Sequence, residues 1–510
     1  MAVNAPPGGY PAELVEGGFA VEIADAPLLH AGLNLADIAH VVTLREQDVV
    51  PRAAAARLLR VLLDAHRTPA EDFGYDPAIG ESYTCRERRF GELIGPDAGW
   101  LHAGRTRREA VRVALRIRVR ADLVNLLEAA EAFARAASRL AAVHAETYLA
   151  DQTYLQPAQP STFGHYLLAF GYPVQREIDR LNTDLDWVNR SPAGSGCVNG
   201  GRLPYDRSLV ARLLGFDDVI EHTRDAMWQT DGLLSSVSTA TSLVTTLSKL
   251  AEDLEIWSSP EFDYVELAEG HTRSSVMMPQ KRNPYALSMV RGEAGVLIGR
   301  LTGLYAVCKT PSARSDNLIF AYGEVPRSLA LAGAATRLMA GVIGGIRVNA
   351  AAMRAALESG FTQATDLAEF VMQECAIDYR TAYDVVRATV RDAAAQGLRG
   401  VDITGDLLDA AAVRLRGEPL GLSGRDLRQV LDPVAIVGTR LTRGGAAPEV
   451  VRAMARECLA AADAAAAGTA RRRAGFEAAE AALLRTATAL AGSPGAQPAA
   501  GRQPADSGLS

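Results

Sequence analysis

Between residues 106 and 155 the sequence contains neither glycine nor proline. Across that stretch Val111, Leu115, Leu123, Leu126, Leu127, Ala130, Phe133, Ala137 and Leu140 recur mostly three or four apart. This spacing lays a wide apolar stripe along a helix. Forty helical residues span roughly 60 Å, too long for a small globule and suited to an elongated bundle. Further helical runs are read over 217–257 and 285–309. In the latter, Gly292, Gly295, Gly299 and Gly303 follow one another at three- and four-residue steps. Helical glycine costs stability, so the pattern predicts a face on which another helix packs closely. Aromatic content is 6%, and period-two alternation is scarce. The predicted fold class is all-α.

The chain of 510 residues is long enough for several domains. The expected division is an N-terminal helical domain (1–110), a central long-helix bundle (111–360), a small C-terminal helical domain (361–490) and a disordered tail (491–510). Stretches 191–204 and 310–325 read as connections, and helices are expected near 365–375, 379–396, 405–416 and 446–487. A net charge of −7 argues against nucleic-acid or anionic-membrane partners. Cys85, Cys197, Cys308, Cys375 and Cys458 are scattered, without metal-ligand spacing, which suggests reduced thiols, a cytoplasmic location and no zinc site. The N-terminus lacks a basic stretch before an apolar core, so no signal peptide is expected. No window of membrane-spanning length is free of charges or breakers.

Residues 273–284, Arg-Ser-Ser-Val-Met-Met-Pro-Gln-Lys-Arg-Asn-Pro, place hydroxyls, a lysine and an amide together. Pro279 and Pro284 interrupt helical hydrogen bonding, so the run reads as a loop entering a helix. Ser275 or Ser274 is placed to act on a proton, and Lys281 with Asn283 to hold a carboxylate. The string resembles the fumarase/aspartase superfamily signature Gly-Ser-Ser-x-Met-Pro-x-Lys-x-Asn-Pro. Residues 102–109, His-Ala-Gly-Arg-Thr-Arg-Arg-Glu, and 153–160, Thr-Tyr-Leu-Gln-Pro-Ala-Gln-Pro, resemble two blocks of the argininosuccinate lyases. The stretches 364–368 and 379–383 resemble that family's C-terminal domain.

The resemblance implies a homotetramer whose active sites each draw on three subunits. It also implies cofactor-free removal of an amine from an N-substituted aspartate, releasing fumarate. A serine takes the proton next to one carboxylate and the C–N bond then breaks. Such a carbon acid is weak, so fixed cations and donors must stabilise the charge that develops. Arg107, Arg108, Lys281 and Asn283, with Thr106, Thr153 and Gln156, supply the inventory. Counting back from Lys281 places the family's serine at Ser275; treating one of Met277 and Met278 as an insertion brings in Ser274.

The departures narrow the substrate. The family's histidine is Tyr154 here, and its glutamate partner falls on Ser288, so both ends of that pair are lost. Tyr154 either donates a hydrogen bond or a proton, or simply packs. Arg108 replaces an asparagine, and Arg314 stands at a tyrosine of the arginine-binding stretch, with Asn317 at its aspartate. A guanidinium leaving group would be repelled there and a carboxylate welcomed. The combination is most like that of ethylenediamine-N,N′-disuccinate (EDDS) lyases, which implies a polycarboxylate substrate. The alternatives are an argininosuccinate lyase with an unusual pocket, or a catalytically silent structural homologue.

Overall fold

A computed structural model describes residues 9–311 and 316–492. Arg314 and the tail beyond 492 lie outside the described residues. After a short helical segment at 12–24 come α1 (Ala26–Glu46), α2 (Ser82–Ile94) and α3 (Arg107–Val143). Next are the strands β1 (Tyr148–Thr153) and β2 (Gln156–Thr162), then α4 (Phe163–Val188), α5 (Asp231–Trp257), α6 (Tyr285–Cys308) and α7 (Asp316–Gly345). Helix α3 packs along α4, α7 and α1, while α5 packs along α4 and α6. Leu33, Phe133, Leu167, Leu247, Leu297 and Met339 share one continuous core. Full burial of each such side chain contributes about 1.5–3 kcal/mol, which is why the apolar stripes rather than helix propensity hold the bundle.

Three expectations are corrected. The long helix does not run to 155; it ends at Val143, and the chain turns back as an antiparallel hairpin with Tyr148 opposite Thr162 and Thr153 opposite Gln156. Pro157 and Pro160 cannot donate helical hydrogen bonds. Thr162 instead caps α4, its hydroxyl oxygen accepting from the His165 amide at 3.1 Å. The run at 217–257 divides into Thr223–Trp228 and α5. Finally, most of 310–325 is not a connection, because α7 already begins at Asp316 and continues through Pro326. Leu318, Ala321, Tyr322, Val325 and Leu329 bury along it, and that packing outweighs the hydrogen bond proline removes. By length and composition Leu318–Gly345 is apolar enough to cross a membrane, yet half of that window is buried inside the bundle.

Beyond 360 a second core forms from α8 (Ala364–Glu374), α9 (Tyr379–Ala395), α10 (Gly405–Arg416) and α11 (Gly424–Leu431), with Leu367, Val385, Leu408 and Leu427 at its centre. The last helix, α12 (Pro448–Ala491), does not join it. Val451, Cys458, Leu483 and Ala487 bury in the main core, where α12 lies against α3. On α6 a Cβ built at Gly292, Gly295, Gly299 or Gly303 would meet nothing within 4 Å. Met289, Val296, Ile298 and Tyr305 of the same helix are exposed. The close neighbour those glycines predict is therefore not supplied by the described residues of the same chain.

Candidate active site

The first motif is fixed from behind by a buried charge network. Arg105 donates to Asp37 at 2.5 Å, to the Tyr83 hydroxyl at 2.6 Å and to the Ala36 carbonyl at 3.2 Å. Arg86 grips the other Asp37 oxygen at 2.6 Å. Burial opposes ionisation of Asp37, but the charges of Arg105 and Arg86 outweigh it and hold the carboxyl below its usual range. Removing Asp37 would leave two buried guanidiniums uncompensated, a loss of about 3–5 kcal/mol. Arg105 is thus an anchor, and Thr106, Arg107 and Arg108, which follow it, are half-buried.

Thr106 is the N-cap of α3, its hydroxyl oxygen accepting from the Glu109 amide at 3.4 Å. Arg107 donates to the Thr84 hydroxyl at 2.9 Å and pairs with Glu81 at 3.3 Å and Glu87 at 3.5 Å. Arg108 is half-buried and donates to Glu22 of the N-terminal segment at 3.0 Å. That segment is locked down nearby, where Asp25 accepts from Arg327 and a Cβ at Gly323 would sit 2.2 Å from the Asp25 carboxylate. Arg108 is therefore not the free clamp its sequence position suggests. Glu109 turns inward to accept from the Gly194 amide at 2.7 Å, and burial pushes its pKa up to about 7. Burial likewise lifts Glu87 to about 7, and its carboxylate contacts His102. Glu81, Thr106, Arg107, Arg108 and Val111 line a cavity of about 290 Å³ at the positive end of α3, a place suited to an anion.

The second motif is the hairpin tip. Tyr154 and Leu155 take φ values of 56° and 58°, where a non-glycine residue is strained. Tyr154 is 99% exposed, so within the chain it does not pack. Thr153 and Gln156 flank it, also exposed. A cavity of about 310 Å³ runs along the hairpin, lined by Gln152, Thr153, Gln159, Arg440 and Thr442.

In the third motif a two-rung ladder pairs Arg273 with Asn283 and Ser274 with Arg282, closing a loop between them. The Ser275 Oγ accepts from the backbone amides of Met278 at 3.0 Å and Met277 at 3.3 Å. Two donors aimed at one hydroxyl oxygen favour its alkoxide. Ser274 is exposed and spends its backbone on the ladder. Asn283 donates to the Arg273 carbonyl at 2.9 Å, and Lys281 is exposed. Ser288, at the position of the family's glutamate, donates to Glu255 at 3.1 Å and has no link to Tyr154.

Among the described residues, no hydrogen bond or ion pair joins any two of the three motif segments, and no group of three His, Cys, Asp or Glu side chains is placed to hold a metal ion. Glu22, Glu81, Glu87 and Thr84, which orient the two arginines, carry no motif and escape sequence reading; only the fold brings them to residues 107 and 108.

A family profile described as "Lyase" matches residues 44–299, and one described as "Argininosuccinate lyase C-terminal" matches 361–438. The argininosuccinate lyase of Methanosarcina barkeri is 33% identical over 420 residues, covering 82% of this chain and 84% of its own. That of Halobacterium salinarum is 34% identical over 434 residues, covering 84% and 86%. Among solved structures, EDDS lyase in complex with formate superposes with a TM-score of 0.84 at 27% identity, covering 96% of this chain and 97% of that one. An EDDS lyase variant with bound fumarate gives the same TM-score at 26% identity, with the same coverage. The chain belongs to the argininosuccinate lyase branch of the fumarase/aspartase superfamily and is a carbon–nitrogen lyase with an EDDS-lyase-like fold.

Proposed function

We propose that this enzyme reversibly eliminates an amine from an N-substituted aspartate rich in carboxylates, an aminopolycarboxylate such as EDDS, to give fumarate. The observation that carries the reading is the Ser275 oxygen held by two backbone amides. As alkoxide it takes the proton from the carbon beside one carboxylate, whose charge Lys281 balances and to which Asn283 donates a hydrogen bond. The resulting dianion expels the amine: the C–N electron pair leaves with nitrogen, which gains a proton. Arg107, with Thr106, Thr153 and Gln156, holds the succinyl half; the sequence puts arginines at 108 and 314 for an anionic leaving group, although Glu22 already pairs the first. Tyr154 enters as a donor; its exposed, strained position supports a role outside its own chain.

The site is assembled from three copies of a homotetramer, each supplying one motif segment; the separation of the segments and the open glycine face of α6 support this. No cofactor is invoked. Cysteines that are all unpaired support a reducing, cytoplasmic setting.

A second reading, argininosuccinate lyase, draws on the 33% identity to such enzymes. The loss of the His–Glu pair and the arginine at position 314 weigh against it. The test is incubation with fumarate and a panel of amines (ethylenediamine, ammonia, arginine), the products identified by mass spectrometry. The proposal expects an N-substituted aspartate from at least one amine of the panel and none from arginine; no adduct with any amine would remove it.

A further inference from the structure

Behind Arg108 lies a group of buried donors that the proposed chemistry has not used. Arg112 is one turn farther along α3, on the same helix face, and is 6% exposed. Its Nε donates to the Met227 carbonyl at 3.0 Å. Its guanidinium lies 5.1 Å from the centre of the Tyr322 ring on α7 and 5.8 Å from that of Trp228. The Arg112 Nη2, the Tyr322 hydroxyl and the Trp228 indole N–H are all buried, and none has a hydrogen-bond partner among the described residues.

Folds rarely leave three neighbouring buried donors without an acceptor. The groups acting on Arg112 are Tyr322, Arg108 and Cys308, and none of them is a carboxylate. A positive pocket whose three unpartnered groups can all donate is satisfied by a guest that is negative and only accepts. Arg108, which lines the cavity at the start of α3, is already paired with Glu22. The unpaired positive charge at this end of the site belongs to Arg112.

We infer that Arg112, Tyr322 and Trp228 form the floor of the leaving-group pocket and receive a carboxylate of the departing amine. The assignment rests on the lyase reading above and moves the source of carboxylate preference from Arg108 to Arg112. It is tested in the addition direction with fumarate and two amines of equal length, β-alanine and propylamine, which differ only in the terminal carboxylate. The wild-type enzyme is expected to favour β-alanine in kcat/KM by at least about 10-fold, the scale of charge-assisted hydrogen bonds. Arg112→Met is expected to cut that ratio by roughly 10-fold through KM for β-alanine. Tyr322→Phe keeps the buried ring and removes only the hydroxyl, so it tests the pocket even where Arg112→Met fails to fold; an approximately 3-fold fall in the ratio is expected. A wild-type ratio near unity, or a ratio unmoved in the folded variants, overturns the pocket while leaving the lyase intact. No reaction with these or any other amine overturns the lyase reading itself, and the pocket with it.

Discussion

At the scale of single residues the account turns on which atoms receive hydrogen bonds. The Ser275 oxygen accepts two backbone amides, so Ser275→Ala should lower kcat by about a thousandfold, the range general-base groups supply. Ser274→Ala should cost less than tenfold by the same measure. A steady-state comparison of the two variants checks this, and the reverse order would move the base to Ser274. Glu109 makes a separate prediction. Burial raises its folded pKa to about 7, above the ordinary carboxylate value of 4.5, so the folded state holds its proton more tightly than the unfolded chain does. The resulting stability is fully present below pH 4.5 and is lost as pH rises through 7, by on the order of 3 kcal/mol. Glu109→Gln, which keeps an acceptor for the Gly194 amide, should flatten that part of the pH–stability curve in denaturant titrations. Glu87, also lifted by burial, leaves a residual slope. The loop serine, lysine and asparagine were legible because they sit within a dozen residues of each other. Glu22, Glu81 and Glu87 were not, since they meet the arginines only after the chain has folded.

At the scale of elements, absence of glycine and proline set the start of α3 correctly but not its end. A helix needs a core to bury its stripe, and after Val143 the chain finds cross-strand partners instead. The two left-handed residues at the hairpin tip are the costly part of that choice. Leu155→Gly relieves one of them where the side chain is half exposed, and should stabilise the fold by about 0.5–1 kcal/mol in thermal or chemical denaturation. A destabilisation would show that Leu155 contacts something that offsets its strain. The helix beginning at Asp316 was equally hard to read. Pro326 signals a break, and only the burial of the residues around it explains why the helix continues.

For the whole molecule, no hydrogen bond or ion pair links the three motif segments among the described residues, and Met289, Val296, Ile298, Tyr305 and the four glycines of α6 face open space. The proposed tetramer resolves both. Light scattering should give four times the chain mass, and Ile298→Asp, on that exposed face, should lower it. Mixing Ser275→Ala with Arg107→Ala chains, each inactive alone, should restore part of the activity, because some composite sites then take intact segments from both. Persistent inactivity of a well-mixed tetramer would place the segments of each site in one subunit. The family and the all-α bundle were legible from three short motifs and helical periodicity. The amine was less so, because its pocket depends on residues such as Arg112, Trp228 and Tyr322, which lie far apart in sequence. The central claim, that the leaving group carries carboxylates and is not arginine, is tested most directly by fumarate release from EDDS and from argininosuccinate measured side by side. The account predicts release from EDDS alone; release from argininosuccinate with none from EDDS would contradict it.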